Sequence, residues 1–304
     1  MTKSALGGKP CRALIGIASV VAMQLLVGCA NTLMLHPELA RIAARQHPVH
    51  PDHGDEPESV AVTNRAGCRL TGWVFDAPGN HGVVLLGDGN ASGIAHTYAY
   101  NRHLLGRGFN LVILSYQGYD ANEGQASLDS LFGDTEAFYN LCRQRFPGQP
   151  IALVGESLST GVFLSFASRH PEIACLVLEG VVDLKNAPFT VVHSSWALCL
   201  VYPFTGPLAL VVRAGVPAEL SGRAALRRGP QMPALFIHHP QDRVTPYRGA
   251  RRLFDQYPGP KEMLVPQIAD GNDLHMTGNS DPRVRSAVVG FLQHNLQEKD
   301  QRQR

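Results

Sequence analysis

The stretch that decides the fold runs from Ile151 to Gly161 and reads Ile-Ala-Leu-Val-Gly-Glu-Ser-Leu-Ser-Thr-Gly. Its first four residues are apolar, which is typical of a buried parallel strand, and a helix-compatible stretch follows. Between them Ser157 is flanked at two residues' distance by the small residues Gly155 and Ser159. This spacing predicts a sharp strand–turn–helix that exposes the serine hydroxyl as a nucleophile. The usual pattern has glycine at the position of Ser159, so the match is close but incomplete.

The chain beyond Val60 alternates strand and helix patterns. Strands are predicted at residues 60–64, 68–75, 81–86, 111–116, 151–154, 174–179, 233–238 and 263–268, the first two as an antiparallel pair. The closing helix is expected to begin at Asp281 and Pro282, where an N-cap residue precedes proline at the first helical position. Continuous apolar strands alternating with helices indicate one mostly parallel sheet of about eight strands, covered by helices on both faces.

Two polar residues follow later strands, where functional side chains collect at the carboxyl edge of a parallel sheet. Asp242 follows the strand that ends at residue 238, and His275 follows the strand that ends at residue 268. We expect His275 to take the proton of Ser157 and Asp242 to orient the imidazole. Asp183 is the reserve acid. The other late histidine, His294, is less suitable because it falls inside the closing helix.

With these residues in place, the chain resembles the α/β-hydrolase superfamily, and most of all its serine hydrolases with a small cap. The resemblance covers about residues 60–297. The matching motifs are Asp88-Gly-Asn-Ala91, Ser115-Tyr-Gln-Gly-Tyr-Asp120, Gly155–Ser159, His238–Pro246 and Gly271–His275. It implies an α/β-hydrolase fold that cleaves carboxylic esters through a Ser-Asp-His triad and an acyl-enzyme. It also implies an oxyanion hole built from the N–H groups of Leu158 and Asn90, with no metal or other cofactor.

One motif departs from the resemblance. This chain has Asp88 where relatives have histidine, and an ionised carboxylate near the oxyanion hole would oppose negative charge unless it is turned away or paired. Together with Ser159, this departure leaves open a catalytically silent α/β hydrolase that acts as an envelope binding protein. Peptidase or thioesterase chemistry on the same triad also stays open.

A long insertion, residues 184–230, is expected to form a cap over the active site. No Asp, Glu, Lys or Arg occurs from residue 186 to residue 212. This composition favours an apolar cap in which Trp196, Leu198 and Phe204 line a pocket for hydrophobic acyl groups. Core-facing helices of the ordinary domain are the alternative. An apolar cap favours small-molecule or lipid esters as substrates.

The start of the chain predicts secretion and lipidation. Lys3, Lys9 and Arg12 precede an apolar run over residues 13–27, as in a secretory signal peptide. The run ends in Leu26-Val-Gly-Cys29, which resembles the bacterial lipobox. We therefore expect residues 1–28 to be removed and Cys29 to carry the lipid, in the cell envelope and on the periplasmic side of the outer membrane. An ordinary signal peptide or an uncleaved anchor remains the alternative.

Residues 29–59 are expected to form a flexible His/Pro-rich tether, ahead of a hydrolase domain over residues 60–304. His47, His50 and His53 would share one face of a polyproline II segment, although a solvated spacer is the simpler interpretation. Loss of the three basic residues of the signal peptide takes the net charge of the whole chain from +2 to about −1. Such a charge gives no indication of nucleic-acid binding.

Overall fold

A computed structural model describes residue 24 and residues 28–46, 48–78, 81–194, 199–267, 274–276 and 278–303. Its centre is a sheet of eight strands. They are β1 (Glu58–Thr63), β2 (Arg69–Phe75), β3 (Val83–Gly87), β4 (Asn110–Ile113), β5 (Ile151–Glu156), β6 (Cys175–Glu179), β7 (Ala234–Ile237) and β8 (Lys261–Leu264).

The strands lie in the order β1-β2-β4-β3-β5-β6-β7-β8. β2 is antiparallel to both β1 and β4, and every other neighbouring pair is parallel. The predicted mostly parallel sheet of eight strands is therefore confirmed. The carboxyl ends of β5, β7 and β8 lie along one edge, and this edge carries the predicted catalytic residues.

Helices cover both faces of the sheet. They are α1 (Pro37–Gln46), α2 (Ile94–Asn101), α3 (Leu131–Arg145), α4 (Leu158–Ala167), α5 (Ala187–Ser194), α6 (Tyr202–Gly215), α7 (Gly222–Arg227), α8 (Tyr247–Gln256) and α9 (Pro282–Gln303). Side chains alternate between the faces of each strand. Leu85 of β3 thus packs in one core cluster with α3, α4, α7 and α8, whereas its neighbours Val84 and Leu86 pack in a second cluster with α2 and α9.

The segment before the domain differs from the expected flexible tether over residues 28–46. Residues 28–34 are helical, α1 follows, and both lie on the domain. Ala30, Leu35 and Ala40 are buried within the first core cluster. The side-chain oxygen of Asn31 accepts a hydrogen bond of 2.9 Å from the Leu128 N–H. These apolar side chains remove surface from water by docking, which favours the docked segment over a free one. His47 lies outside the described residues.

The cap is smaller than the predicted insertion of residues 184–230. Helices α5 and α6 pack against each other and therefore make up the cap within the described residues. The later part of the insertion packs instead on α4, with Leu220 and Ala225 fully buried. The alternative of core-facing helices thus holds for that later part. Among the described helices, none is both long and apolar enough to cross a bilayer.

Two of the described cysteines belong to the core. Cys142 and Cys175 are buried, and the five cysteines within the described residues all carry free thiols. Burial raises the pKa of both buried thiols far above the usual value. Buried, protonated thiols behave as small apolar side chains.

Candidate active site

Ser157 occupies a sharp turn between β5 and α4. Its backbone is in the left-handed half of conformational space, with φ 47° and ψ −107°, a strained geometry for a residue other than glycine. Its N–H donates a 2.8 Å hydrogen bond to the carbonyl of Glu179, at the end of the neighbouring strand β6. A Cβ atom added at Gly155 would lie 3.0 Å from atoms of Phe163 and Ser159, so a larger residue there would crowd the turn. These contacts explain the spacing of small residues in the sequence.

Asp242 and His275 meet directly. Nδ1 of His275 lies 2.8 Å from Oδ2 of Asp242, although the two residues follow different strands. The other carboxylate oxygen, Oδ1, accepts hydrogen bonds from the N–H groups of Val244 (2.7 Å) and Thr245 (2.8 Å). Burial opposes the charged form of Asp242, but the hydrogen bond and charge of His275 outweigh it and lower the pKa of the carboxyl. Asp242 is thus an ionised, fixed partner for the imidazole.

Ser157 follows β5 and His275 follows β8, with β6 and β7 between them in the sheet, and no hydrogen bond joins the serine hydroxyl to the imidazole. The ring of His275 packs on Gly180, where an added Cβ would come within 2.7 Å of Cε1. Gly180 directly follows Glu179, the residue whose carbonyl receives the Ser157 N–H. Catalytic hydrogen bonds in ligand-free sites are often long and tighten only when substrate is bound. Residues 268–273, which precede the histidine, lie outside the described part of the chain.

Two further residues support this edge, and the sequence did not indicate them. Thr245 donates its hydroxyl to Oδ2 of Asp242 at 2.7 Å, and the same hydroxyl lies 3.2 Å from Nδ1 of His275. Glu179 accepts hydrogen bonds of 2.6 Å from the Tyr100 hydroxyl and from the N–H of Gly278, three residues beyond the histidine. Glu179 therefore ties down the loop that carries His275. The run Val244-Thr245-Pro246, which belongs to the motif that ends at Pro246, is the sequence feature that could have indicated Thr245.

Asp88, which departs from the motif of the family that this chain resembles, is buried without a hydrogen-bond partner for its carboxyl group in the described part of the chain. It is fully buried, and neither carboxylate oxygen has a hydrogen-bond partner among the described residues. Burial first, and then the charges of Asp120 and Glu156, raise its pKa well above the usual range. The raised pKa favours the protonated, uncharged form of this side chain. A shift in this direction reduces the negative charge that Asp88 could place near an oxyanion hole.

Ser159 has a structural role in the turn. It is fully buried and donates its hydroxyl to the carbonyl of Asp88 at 2.6 Å, while the Tyr116 hydroxyl lies 2.8 Å from the same oxygen. The two reserve candidates are also placed elsewhere. Asp183 accepts hydrogen bonds from Asn186 and Gly222 at the base of the cap. His294 lies on the exposed side of α9, with its Nε2 3.1 Å from Glu298.

An apolar cavity of about 480 Å³ opens at Ser157. Its walls include Leu158, Val191, Leu208 and Val212, with the last three contributed by α5 and α6 of the cap. Phe204 differs from the prediction, because it is 79% exposed and is not part of the cavity wall. The other two predicted pocket residues, Trp196 and Leu198, lie outside the described residues. A largely apolar cavity beside a nucleophile suits a hydrophobic acyl chain.

The two predicted oxyanion residues both border this cavity. Leu158 is the first residue of α4, where N–H groups have no carbonyl partner within the helix. Asn90 lies in the turn after β3, and its side chain bonds to the segment before the domain. Its Oδ1 accepts from the His36 N–H at 2.9 Å and from the Tyr119 hydroxyl at 2.8 Å. Its Nδ2 donates to the carbonyl of Met34 at 2.8 Å.

Comparison with known proteins agrees with the fold. The chain is 23% identical over 237 residues to alpha/beta hydrolase domain-containing protein 17C of Xenopus tropicalis, which covers 77% of this chain and 69% of the relative. It is 25% identical over 230 residues to the lysophosphatidylserine lipase of Danio rerio, covering 70% and 58% of the two chains.

Solved structures give the same result. An esterase of Pyrococcus furiosus superposes with a TM-score of 0.63 at 18% identity, over 80% of this chain and 94% of that chain. The chain therefore has the α/β-hydrolase fold. No protein-family model matches the sequence. Within the described residues, no group of three or more His, Cys, Asp or Glu side chains could hold a metal ion.

Proposed function

We propose that this protein is a serine hydrolase that cleaves carboxylic esters of hydrophobic acyl groups. The observation that carries the proposal is the buried Asp242–His275 hydrogen bond at the same sheet edge as the strained turn of Ser157. The apolar cavity at that turn supports a hydrophobic acyl group. The names of the relatives, among them a lipase and an esterase, support ester hydrolysis as the reaction.

In the proposed reaction, Oγ of Ser157 attacks the ester carbonyl while Nε2 of His275 takes the hydroxyl proton. Asp242 keeps the imidazole in the required tautomer and stabilises the imidazolium that forms. The N–H groups of Leu158 and Asn90 receive the negative charge on the carbonyl oxygen. The imidazolium then gives its proton to the departing alcohol, and a water molecule activated by the same histidine releases the acid.

The anchor is part of the proposal. We infer that Cys29 carries acyl chains that hold the protein in the bacterial envelope, on the periplasmic side of the outer membrane. The thiol is exposed at the surface, which is what a modifying enzyme would require. Two or more chains would anchor the protein stably, because each buried methylene contributes about 0.8 kcal/mol. A substrate dissolved in or released from the membrane would then be close to the cavity.

Labelling with a fluorophosphonate probe tests the proposal, because such a probe reacts only with an activated serine. We expect labelling and ester hydrolysis in the wild type, and loss of both in Ser157→Ala by at least about 10⁴-fold in rate. Ser159→Ala is the matched control and should still label, because that serine is buried. An unlabelled wild type would instead favour a silent binding protein. A panel of ester, thioester and peptide substrates then separates esterase from thioesterase and peptidase activity.

A further inference from the structure

A second cavity lies on the other side of cap helix α5. Its volume is about 370 Å³, and its walls come from α5, α6 and α8. Val191 and Val192 of α5 face the apolar cavity at Ser157, whereas Phe189, Thr190 and His193 face the second cavity. One short helix therefore separates an acyl-sized apolar cavity from a neighbouring polar one.

Positive charge dominates this second cavity. Arg213, Arg248 and Arg252 line it, and no carboxylate is present among the described residues of its wall. None of these three arginine side chains forms an ion pair or hydrogen bond with a described residue. Arg251, which lies on α8 with Arg248 and Arg252, does form an ion pair with Asp255, at 2.8 Å. The three arginines of the cavity are thus left without the counter-charge that their neighbour has.

Two more observations point in the same direction. The guanidinium of Arg213 lies over the ring of Phe189, 5.8 Å from its centroid, and this holds a flexible side chain at the cavity wall. Lys185 lies close by, and after burial the charge of Arg213 is the second cause that lowers its pKa. Like charges therefore crowd together at this place without a compensating acid. An anion in the cavity would relieve that repulsion.

We propose that this cavity binds a phosphate group. A guanidinium presents planar pairs of N–H donors that match the oxygens of phosphate, and three of them around one cavity can engage a single tetrahedral anion. The neighbouring surface of α6 carries exposed apolar side chains, with Phe204 at 79% and Leu210 at 59% exposure. An anionic phospholipid presents both a phosphate and an apolar chain to such a surface. Free phosphate presents the phosphate alone.

The test uses the unlipidated mature chain, which begins at position 29 with Cys29→Ala, so that the anchor cannot supply the binding. The double variant Arg213→Gln/Arg252→Gln removes two charges from the cavity, and Arg251→Gln removes one paired charge from the same helix. Binding is measured to phosphatidylglycerol vesicles, to phosphatidylcholine vesicles and to inorganic phosphate.

If the phosphate belongs to a lipid, we expect binding to phosphatidylglycerol vesicles but not to phosphatidylcholine vesicles. The double variant should weaken this binding by tenfold or more, because each basic residue near an anionic surface contributes roughly 1 kcal/mol. A free-phosphate source predicts saturable binding of inorganic phosphate that only the double variant loses. Arg251→Gln should behave as the wild type in both cases. Equal binding by all three proteins, or no binding to either anion, would overturn the proposal.

A different observation carries a second inference, which concerns the segment of residues 28–46 and rests on the proposed function. Leu33, Met34 and His36 of this segment form part of the wall of the Ser157 cavity. The backbone of Met34 and His36 also holds both ends of the Asn90 amide, at 2.8 Å and 2.9 Å. We infer that the segment positions the turn whose Asn90 N–H receives the oxyanion.

The segment is itself fixed at two further points. Asn31 bonds to the N–H of Leu128, and Nη2 of Arg41 donates to the carbonyl of Gly118 at 2.9 Å. The segment is therefore held in place independently of Asn90 and can restrain the position of the Asn90 side chain. Asn90 is then a positioning residue through its side chain, because Asn90→Ala removes all three side-chain hydrogen bonds and leaves the backbone N–H in place.

Steady-state kinetics test this second inference. Asn90→Ala should lower kcat by roughly 10- to 100-fold with little change in KM, below the 10²–10³-fold cost of losing a whole oxyanion donor. Asn90→Asp keeps the acceptor for His36 and Tyr119 and should recover part of the loss. Arg45→Ala is the control, because Arg45 is exposed at the end of α1 and is not part of the cavity wall.

Fluorophosphonate labelling distinguishes the two possible failures. If the wild type reacts with the probe and Asn90→Ala retains the wild-type kcat, the positioning role is refuted while the proposed function stands. If the wild type itself does not react, the proposed function fails first.

Discussion

The cavity at Ser157 has two walls that are held in place by different forces. The strand wall consists of Ser157, Leu158 and Thr245, which follow β5 and β7, and it is fixed by backbone and carboxylate hydrogen bonds. The cap wall consists of residues 33–36 with helices α5 and α6, and it is built mainly from apolar side chains. Leu33 and Leu208 of the cap wall are 50% and 51% exposed, so half of each side chain contacts water.

This difference between the two walls suggests that the strand wall provides the catalytic groups and the cap wall provides the selectivity for the acyl group. Fixed dipoles and charges contribute to catalysis only when they are already in place, and the strand wall provides that order. Apolar contacts are not directional, so the cap wall can accept acyl groups of different shape. Changes in the strand wall should therefore reduce kcat, whereas changes in helices α5 and α6 of the cap wall should alter KM and membrane binding.

The largest effect is expected at the strand wall. Asp242→Asn should lower kcat by about 10⁴-fold, because the neutral amide favours the wrong imidazole tautomer and cannot stabilise the imidazolium. Esterase kinetics on the purified variant measure the loss. A decrease below tenfold would show that another group orients His275.

The same variant has a defined pH dependence of stability. The folded-state pKa of Asp242 is lowered, so its charge stabilises the fold above the unfolded pKa of about 3.9 and this contribution is lost as pH falls through the folded value. The wild type should therefore unfold at a higher temperature than Asp242→Asn at pH 7, and the gap should close in acid. Thermal unfolding at both pH values measures it.

The next effect concerns the anchor, just before the cap wall. Cys29→Ala should abolish incorporation of labelled palmitate and leave the hydrolysis of soluble esters unchanged, because Cys29 is not part of the cavity wall. Cys199→Ala is the matched control, since that cysteine is also exposed. Continued membrane association of Cys29→Ala without palmitate would identify the apolar run of residues 13–27 as an uncleaved anchor.

The sequence predicted the strand wall much better than the cap wall, for a physical reason. The turn at Ser157 depends on neighbours two residues away, and Asp242 is held by residues two and three positions further on. Because these contacts join residues close together in the sequence, they require a fixed spacing of residue types, and that spacing can be recognised in the sequence. Docking of the N-terminal segment depends on a contact between His36 and Asn90, 54 residues apart, and no local pattern records it.

Two other differences have the same origin. Phe204 was expected in the cavity because it lies in a stretch without charged residues. Such a stretch does not indicate which face of a helix is buried. Asp88 was expected to oppose negative charge unless it is turned away or paired, and the sequence does not show that burial raises its pKa. Thr245 and Glu179 were missed for a related reason, since their roles appear only when strands β6, β7 and β8 are brought together.

A smaller effect is expected beneath the strand wall, at Asp88. Its folded-state pKa is raised, so the group costs nothing below the unfolded pKa of about 3.9 and destabilises the fold progressively as pH rises toward the folded value. Asp88→Asn should therefore stabilise the protein, by up to about 1.4 kcal/mol for each pH unit within that window. Unfolding in urea at pH 5 and pH 8 measures this, and a pH-independent difference would contradict the raised pKa.

The smallest effect is expected within the cap wall, where two residues of α6 can be compared. Leu208 lines the cavity and Phe204 does not, although both are exposed. Leu208→Ala should raise KM for long acyl esters by about 3- to 10-fold, because roughly half of the 1.5–3 kcal/mol of a buried leucine is lost. Phe204→Ala should leave KM within about twofold for the same soluble esters.

Kinetics with a short and a long acyl ester measure both variants, with kcat unchanged in each. The short ester is the internal control, because its acyl group does not reach far along the cavity wall and its KM should respond less to Leu208→Ala. A larger rise in KM for Phe204→Ala than for Leu208→Ala would show that the cap turns its exposed face inward when substrate binds. In that case the cap wall would be a moving part, and the fixed strand wall would be the only preformed half of the site.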